Sequence, residues 1–288
     1  MGTLISVRVA DINLSDEVFA LFRDLDERLS TYKADSEISR LNRDYEANLS
    51  LMARDVLERS IAMNRLTYGA FDVTVGSLTH GAYHFGGEEK IPSAEEIRRA
   101  LVSVGGERIR IDKGLVRVIP GTIIDLGGIA KGYAVDLACT MLEERGAGRA
   151  VVAASGDIGC LGECEVKITD PFHPDGYAAS VFSVRKRFAI STSGNYERYI
   201  RTKEHNHLLN PKTGKSERIF ASVTLMGDGD NTTLDALSTA VAVMEESKAV
   251  ALLESMPEIR YYLIKNDGRV IQSPNLKNWE GVRFSRVR

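Results

Sequence analysis

The alternation of apolar and polar residues predicts a mixture of helices and short strands. Residues 3–9 alternate as a strand does, and from Asp16 apolar residues recur with the period of a helix that ends near residue 30. A second helical pattern covers 50–66, and Ser93 with Glu96 forms a capping box that opens a third helix.

Two later stretches have the pattern of β-hairpins. Residues 108–118 are predicted to turn at 113–114, and residues 260–272 at 267–268. Helices and hairpins alternate irregularly, without a repeat or a Pro-, Gly- or Ser-rich linker. We therefore predict an α+β fold with a mixed, largely antiparallel sheet and flanking helices. We expect it to form a single domain over 1–288, which leaves open two lobes around a cleft.

Composition narrows the class of protein. The chain has 288 residues, 43% of them apolar, and a net charge of −3, so a buried core is expected and a general attraction to nucleic acid is not. The first thirty residues carry several carboxylates and no unbroken apolar core, and no later run approaches the roughly 20 apolar residues that span a bilayer. We expect a soluble chain without a secretory signal, whose basic end, 275–288, is a solvated tail.

Three cysteines, Cys139, Cys160 and Cys164, are too few for a four-cysteine zinc site. We interpret all three as packing residues.

The segment 124–138, IDLGGIAKGYAVDLA, is predicted to join a strand to a helix. Its glycines let the backbone approach a ligand, and the first N–H groups of a helix point outward and favour an anion such as phosphate. Lys131 would add positive charge. The alternative is an ordinary helix start with a solvated lysine.

A helical pattern over 231–244 places Asp235, Ser238 and Thr239 on one face. A carboxylate and a hydroxyl one turn apart are oxygen ligands suited to Mg²⁺, which also retains water and substrate phosphate oxygens. The alternative is a cluster that caps the start of the helix.

The stretch 191–216 contains two further candidates. Ser193 and Gly194 are placed to present backbone donors, and His207 precedes a turn. An imidazole titrates near neutral pH, so His207 suits a general base or a donor to phosphate, although a histidine beside leucines is often a packed core residue. Upstream, ASGDIG at 154–159 predicts a strand that ends in a tight turn carrying Asp157, which is also consistent with a purely structural turn.

These pieces, in this order, resemble the ApbE family of flavin transferases, the FAD:protein FMN transferases. The resemblance covers nearly the whole chain, and eight motifs together are highly specific. They are MGT (1–3), LSTYKADSEISRLN (29–42), GAFDVTVGSL (69–78), IAKGYAVD (129–136), SGDI (155–158), STSGNYER (191–198), HLLNPKTG (207–214) and LDALSTA (234–240).

The resemblance implies a T-fold-like unit that binds FAD as substrate and Mg²⁺ as cofactor. Such an enzyme moves the FMN half of FAD onto a threonine or serine hydroxyl of an acceptor protein, forms a phosphoester and releases AMP. It implies acceptors such as subunits of sodium-pumping NADH:quinone reductase or Rnf-type complexes. The family is normally exported and lipid-anchored, whereas this sequence begins at the first motif.

The resemblance also implies roles for individual residues. Three are catalytic: His207 as general base, Lys131 and Asp235. The metal ligands are the Ala130 carbonyl, Asp235 and Thr239. The residues implied to bind the flavin nucleotide, together with Ser193 and Gly194 from the pattern above, are Met1, Tyr32, Ala70, Phe71, Asp72, Gly127, Lys131, Tyr133 and His207.

The sequence departs from the family pattern at three positions. Val73 stands in place of proline, Ser155 in place of the first of two glycines, and Asn210 in place of aspartate. None of these is an assigned ligand.

The sequence leaves two other functions open. One is hydrolysis of FAD to FMN and AMP, which Tyr32 would oppose by excluding water, and the other is a carrier that binds FAD without chemistry.

Overall fold

The computed structural model describes residues 3–173, 175–196 and 198–287. Within them the α-helices are α1 (Ile12–Leu29), α2 (Glu37–Asp44), α3 (Leu51–Leu66), α4 (Gly76–Thr79), α5 (Ala94–Leu101), α6 (Ala130–Glu144), α7 (Asn231–Ala242) and α8 (Glu246–Glu254). The strands are β1 (Ile5–Val9), β2 (Glu46–Asn48), β3 (Ile109–Asp112), β4 (Leu115–Val118), β5 (Ala150–Ala154), β6 (Asp157–Leu161), β7 (Cys164–Thr169), β8 (Tyr177–Ser183), β9 (Arg187–Gly194), β10 (Phe220–Gly227), β11 (Arg260–Lys265), β12 (Val270–Gln272) and β13 (Val282–Arg286).

The described residues divide into two compact units, each built from separate stretches of the chain. We call residues 23–130 and 195–218 the helical unit, and residues 3–22, 131–194 and 219–287 the sheet unit. The prediction of a single domain over 1–288 spans both units and stays a prediction.

The sheet unit contains a seven-stranded sheet in the order β1-β5-β6-β9-β10-β11-β12, and every neighbouring pair is antiparallel. All eight residues of β10 are buried, as expected for an apolar run in a central strand. Helix α7 packs on β9 and β10. A second, three-stranded sheet has the order β13-β8-β7. The predicted α+β class with largely antiparallel sheet is confirmed.

The core of the sheet unit corrects two predictions. The predicted solvated tail forms β13, which pairs with β8, and it places Phe284 and Trp279 in a cluster with Phe188. Cys160 and Cys164 are joined by a disulfide, because the turn between β6 and β7 brings the two strand ends together. Cys139 is buried and free, as predicted for a packing residue.

The helical unit contains α2–α5 and a three-stranded sheet in the order β2-β4-β3. Its apolar cluster includes Leu78, Tyr83 and Ile97. Gly214 enters this cluster with φ of +66°, and a Cβ there would lie 2.5 Å from Ile97 Cγ2, so the position requires glycine. The turn 210–214 is thereby held against the cluster.

Most local predictions are confirmed. Helix α3 begins after Ser50, the capping box of Ser93 opens α5, and both predicted hairpins form. Helix α1 begins at Ile12 instead of near Asp16, because the Asp11 side chain accepts the backbone N–H of Asn13 and supplies an earlier cap.

No helix in the described ranges has both the length and the apolar composition needed to cross a bilayer.

Candidate functional site

Three charged side chains from distant parts of the sequence meet inside the sheet unit. The Lys131 Nζ lies 3.0 Å from Asp235 Oδ1, 3.1 Å from Asp235 Oδ2 and 3.1 Å from Asp157 Oδ2. The two carboxylates are almost completely buried, and the lysine side chain is 25% exposed. We call Lys131, Asp157 and Asp235 the acid–lysine cluster.

A close helix contact positions this cluster. A Cβ at Gly132 would lie 2.2 Å from the backbone oxygen of Asn231, so only glycine lets the first turn of α6 approach the start of α7 this closely. The Gly132 N–H donates to Asp235 Oδ2 at 3.0 Å. Asp136, one turn further along α6, accepts the backbone N–H groups of Asn231 and Thr232 and so caps α7.

A run of hydroxyl groups continues from the cluster. The Ser191 hydroxyl donates to Asp157 Oδ1 at 2.6 Å and lies 3.3 Å from Ser238 Oγ. Ser238 Oγ is 2.8 Å from Ser193 Oγ, which is 3.5 Å from Thr239 Oγ1. We call these four side chains the hydroxyl chain. It connects the buried Asp157 to Thr239, a predicted metal ligand.

Burial and mutual interaction set the charges of the cluster. Burial raises the pKa of Asp157, and the negative charge of Asp235 raises it further, whereas Lys131 lowers it. Burial lowers the pKa of Lys131, but the charges of Asp157 and Asp235 outweigh burial, so this pKa is raised and the side chain is an ammonium. When both carboxyls are ionised, the cluster has one excess negative charge. In that state, which lies above the raised pKa of Asp157 of about 7, the cluster attracts a cation.

The predicted metal ligands Asp235 and Thr239 are both on α7, and Ala130 is the first residue of α6. A buried carboxylate, a hydroxyl and a backbone carbonyl are the hard oxygen donors that Mg²⁺ prefers, so the donor set fits this ion. Within residues 3–173, 175–196 and 198–287, no group of three or more His, Cys, Asp or Glu side chains is arranged to hold a metal. The assignment of Mg²⁺ to Ala130, Asp235 and Thr239 stays a prediction.

One expectation for the segment 124–138 is wrong. The strand before α6 is reduced to a single bridge between Ile123 and Val75. In the first turn of α6, where N–H groups are expected to face an anion, the Gly132 N–H donates to Asp235; before the helix, the Gly127 N–H donates to Asp125. The groups against these two glycines are thus carboxylates of the same chain, and close approach of a ligand stays a prediction.

In the helical unit, a histidine and an aspartate connect two predicted flavin-site residues. The Tyr32 ring meets the His80 ring edge-on, with centroids 5.3 Å apart, and His80 Nε2 lies 3.3 Å from Asp125 Oδ2. Asp125 Oδ1 accepts the Gly127 N–H at 2.9 Å, and Oδ2 accepts the Thr79 hydroxyl at 2.6 Å. Burial raises the pKa of Asp125, but these partners, His80 first, lower it to about 2.

The stretch 70–72 is held by hydrogen bonds within the helical unit. Asn64 Nδ2 donates to the Phe71 carbonyl at 2.8 Å and to Asp72 Oδ2 at 3.0 Å. Thr74 donates its N–H and hydroxyl to Asp72 Oδ1 at 2.8 and 2.5 Å. Burial raises the pKa of Asp72 despite these bonds. The Ala70 N–H donates to the Thr67 carbonyl, so the backbone hydrogen-bonds at this residue as well.

His207 also lies in the helical unit. Its Nδ1 is 3.1 Å from the Arg198 carbonyl oxygen, which also accepts the His207 backbone N–H. A carbonyl oxygen only accepts, so Nδ1 carries the proton and Nε2 is the basic nitrogen of the neutral ring. Leu208 and Leu209 are buried, whereas the imidazole is half-buried. The interpretation of His207 as a packed core residue is therefore not favoured.

The remaining predicted residues are placed as follows. Tyr133 is buried in α6 of the sheet unit. Ser193 and Gly194 end β9 and pair with Val223 and Ser222 of β10. Met1 lies outside the described residues.

Sequence reasoning missed several members of these arrangements. Asp157 was recognised only as a turn residue, and Ser191 only as part of a motif. His80 has no local signal, whereas Asp125 lies inside the segment 124–138 and is recognisable only once its partners are known. Their roles depend on contacts between positions far apart in sequence, such as Asp157 with Ser191 and His80 with Asp125.

Comparisons with known proteins identify the family of this chain. The family model described as "ApbE family" matches residues 1–263. The FAD:protein FMN transferase of Haemophilus influenzae is 30% identical over 283 residues, covering 91% of this chain and 81% of that protein. That of Vibrio cholerae is 30% identical over 291 residues, covering 93% and 86%.

Solved structures give the same result. The ApbE protein of Thermotoga maritima matches with a TM-score of 0.86 at 30% identity, covering 97% of this chain and 96% of that chain. The flavin transferase ApbE of Vibrio cholerae matches with a TM-score of 0.81 at 28% identity, with the same coverage. The fold is that of the flavin transferase structures. The chain belongs to the ApbE family.

Proposed function

We propose that this protein transfers FMN from FAD to a threonine or serine hydroxyl of an acceptor protein, in a Mg²⁺-dependent reaction that releases AMP. Membership of the ApbE family, with relatives that are FAD:protein FMN transferases, makes the protein an enzyme of this kind. The observation that carries the detailed proposal is the acid–lysine cluster, in which Lys131 and Asp235 meet from positions 104 residues apart.

The chemistry is the exchange of one phosphorus–oxygen bond for another. The acceptor hydroxyl oxygen attacks the phosphorus of the FMN half, the bond from that phosphorus to the bridging oxygen breaks, and AMP leaves with the bridging oxygen. Negative charge grows on the bridging oxygen, and the Lys131 ammonium is the group of this chain that would stabilise it. Mg²⁺, when held by Ala130, Asp235 and Thr239, would neutralise charge on the diphosphate.

The proton of the attacking hydroxyl needs an acceptor. With Nδ1 donating to the Arg198 carbonyl, the Nε2 atom of His207 is the basic nitrogen, and we assign it as general base. The carbonyl also fixes the plane of the ring. A base with a defined tautomer and orientation is what a positioned proton transfer requires.

We assign binding of the flavin nucleotide to the residues predicted above. Tyr32 and Met1 would contact the flavin, Ala70, Phe71 and Asp72 the nucleotide, and Gly127, Tyr133, Ser193 and Gly194 the region of the diphosphate. Contacts in two of these stretches support the assignment: Asn64 and Thr74 hydrogen-bond to Phe71 and Asp72, and Tyr32 and Gly127 contact the His80–Asp125 pair. The acceptor would be a flavoprotein subunit, such as one of a sodium-pumping NADH:quinone reductase or an Rnf-type complex.

Flavin fluorescence tests the proposal directly. The purified protein is mixed with FAD, Mg²⁺ and a candidate acceptor subunit, and the acceptor is examined for covalent flavin on a denaturing gel. We expect fluorescence that disappears with a chelator and with Asp235→Ala. An acceptor that stays dark while FAD remains bound would contradict transfer, and AMP release without acceptor would identify a hydrolase.

A further inference from the structure

Asp157 lies outside the predicted ligand set, yet it is the most enclosed member of the acid–lysine cluster, with a side chain that is 2% exposed. Its position is fixed on both sides by strand register, opposite Ala154 of β5 and Ser191 of β9. Its two oxygens have separate partners. Oδ2 lies 3.1 Å from Lys131 Nζ, and Oδ1 accepts the Ser191 hydroxyl at 2.6 Å.

Without Asp157, the cluster would be poorly suited to a divalent cation. Lys131 contacts both oxygens of Asp235, so a cation that binds this carboxylate must share it with an ammonium. The pair of Lys131 and Asp235 is neutral, and two further positive charges beside the ammonium would be strongly repelled in a buried site. Asp157 gives the ammonium a second anionic partner and leaves the cluster with one negative charge.

We propose that Asp157 is a positioning residue that holds Lys131 in place and compensates its charge, so that a divalent cation can bind at Asp235. The inference rests on the metal site of the proposed function. Asp157 acts through Lys131 and is not itself a ligand. Ser191 orients the carboxylate without contributing charge, so charge and hydrogen bonding can be separated by substitution.

Mn²⁺ provides a probe of this site that does not depend on flavin transfer. The affinity of the full-length protein for Mn²⁺ is measured from the electron paramagnetic resonance signal of the free ion, with and without FAD. We expect Asp157→Asn, which preserves shape and an acceptor for Ser191, to weaken Mn²⁺ binding at least tenfold. Ser191→Ala, which keeps the charge, should stay within about threefold of the wild type, and Asp235→Ala should abolish binding.

Two further variants keep the test informative if Asp157→Asn does not fold. Lys131→Met leaves both carboxylates unopposed and should tighten Mn²⁺ binding at least tenfold. The double variant Lys131→Met, Asp157→Asn has the wild-type net charge and should return the affinity to within about threefold of wild type.

The proposal is overturned if Asp157→Asn binds Mn²⁺ like the wild type, if Ser191→Ala loses as much affinity, or if Lys131→Met does not tighten binding. Absence of Mn²⁺ binding by the wild type also overturns it. If binding follows the expected series but no acceptor becomes flavinylated, this inference stands and the proposed function fails.

Discussion

Buried polar side chains in this protein act mainly by holding other groups in place. Asp125 and Asp72 each accept several hydrogen bonds inside the helical unit, and Asp136 caps α7 in the sheet unit. Burying a carboxylate is costly unless donors satisfy it, and each of these has donors from backbone or hydroxyl groups. Removing one such carboxylate should therefore disturb the residues that donate hydrogen bonds to it more than the backbone at the substituted position.

Asp125 predicts a measurable dependence of stability on pH. Its pKa falls from the ordinary 3.8 to about 2 in the folded protein, so its ionised form adds stability above pH 4 that is lost as the pH falls towards 2. By linkage, this shift corresponds to about 2 kcal/mol. We expect the difference in free energy of unfolding between wild type and Asp125→Asn to shrink by about that amount between pH 5 and 2.5. Urea denaturation across this range measures it, and a constant difference would contradict the assignment.

His207 predicts a loss of turnover with retention of flavin. His207→Ala should keep FAD affinity within about a factor of ten but slow transfer by roughly 10²-fold, the scale of losing a general base. His205→Ala is the matched control, because His205 ends a short 3₁₀ turn two residues earlier and has no assigned role. Single-turnover kinetics would measure the rate of transfer separately from the binding of FAD. Unchanged turnover in His207→Ala would remove this residue from the mechanism.

At the scale of elements, the contact of α6 with α7 brings the acid–lysine cluster together. Gly132 is the point of closest approach, and Gly159 of β6 has a similar role further along, where a Cβ would lie 2.5 Å from the Cys139 sulfur. Two glycines thus determine how α6 lies on its neighbours. The charges of Lys131 and Asp235 can meet only because the backbones are so near.

A methyl group at this contact should be costly. Gly132→Ala places a Cβ against the backbone oxygen of Asn231, which cannot rotate away, so we expect a loss of about 1–3 kcal/mol or more in the free energy of unfolding. Gly148→Ala is the matched control, since a Cβ there meets nothing within 4 Å. Denaturant unfolding of both variants measures the effect. Equal stability of the two variants would show that α6 can move aside.

Local patterns predicted the elements whose signals are contained in a few residues. The capping box at Ser93, the hairpin turn at Lys113 and the face of Asp235 and Thr239 are of this kind. Patterns could not predict β13 or the disulfide of Cys160, which depend on pairing with β8 and on how β7 turns back from β6. Such contacts have no local signature.

The candidate site also combines residues that could be predicted from the sequence with residues that could not. Lys131, Asp235 and His207 were predicted from motifs resembling those of a family. The partners that hold them were not, because Asp157 reaches Lys131 only through the order of strands in the sheet. Ser155, in place of a family glycine, adopts a φ of +56° at the turn before Asp157, a left-handed conformation that glycine adopts at lower cost.

At the scale of the whole molecule, the chain passes from one unit to the other more than once. The chain contributes two separate stretches to the helical unit and three to the sheet unit. Neither unit is continuous in sequence, so neither can be obtained by a single truncation. The function of the protein has to be tested on the complete chain.

The segment 195–218 leaves the sheet after Gly194 and returns just before β10, and Gly194 is paired directly with Ser222. Two adjacent antiparallel strands need only a tight turn between them, so the intervening residues, His207 among them, are an insertion that the ladder does not require. A change of length within this segment would therefore leave the register of β9 and β10 unchanged, whereas Gly214 and Leu209 tie the segment to the apolar cluster of the helical unit.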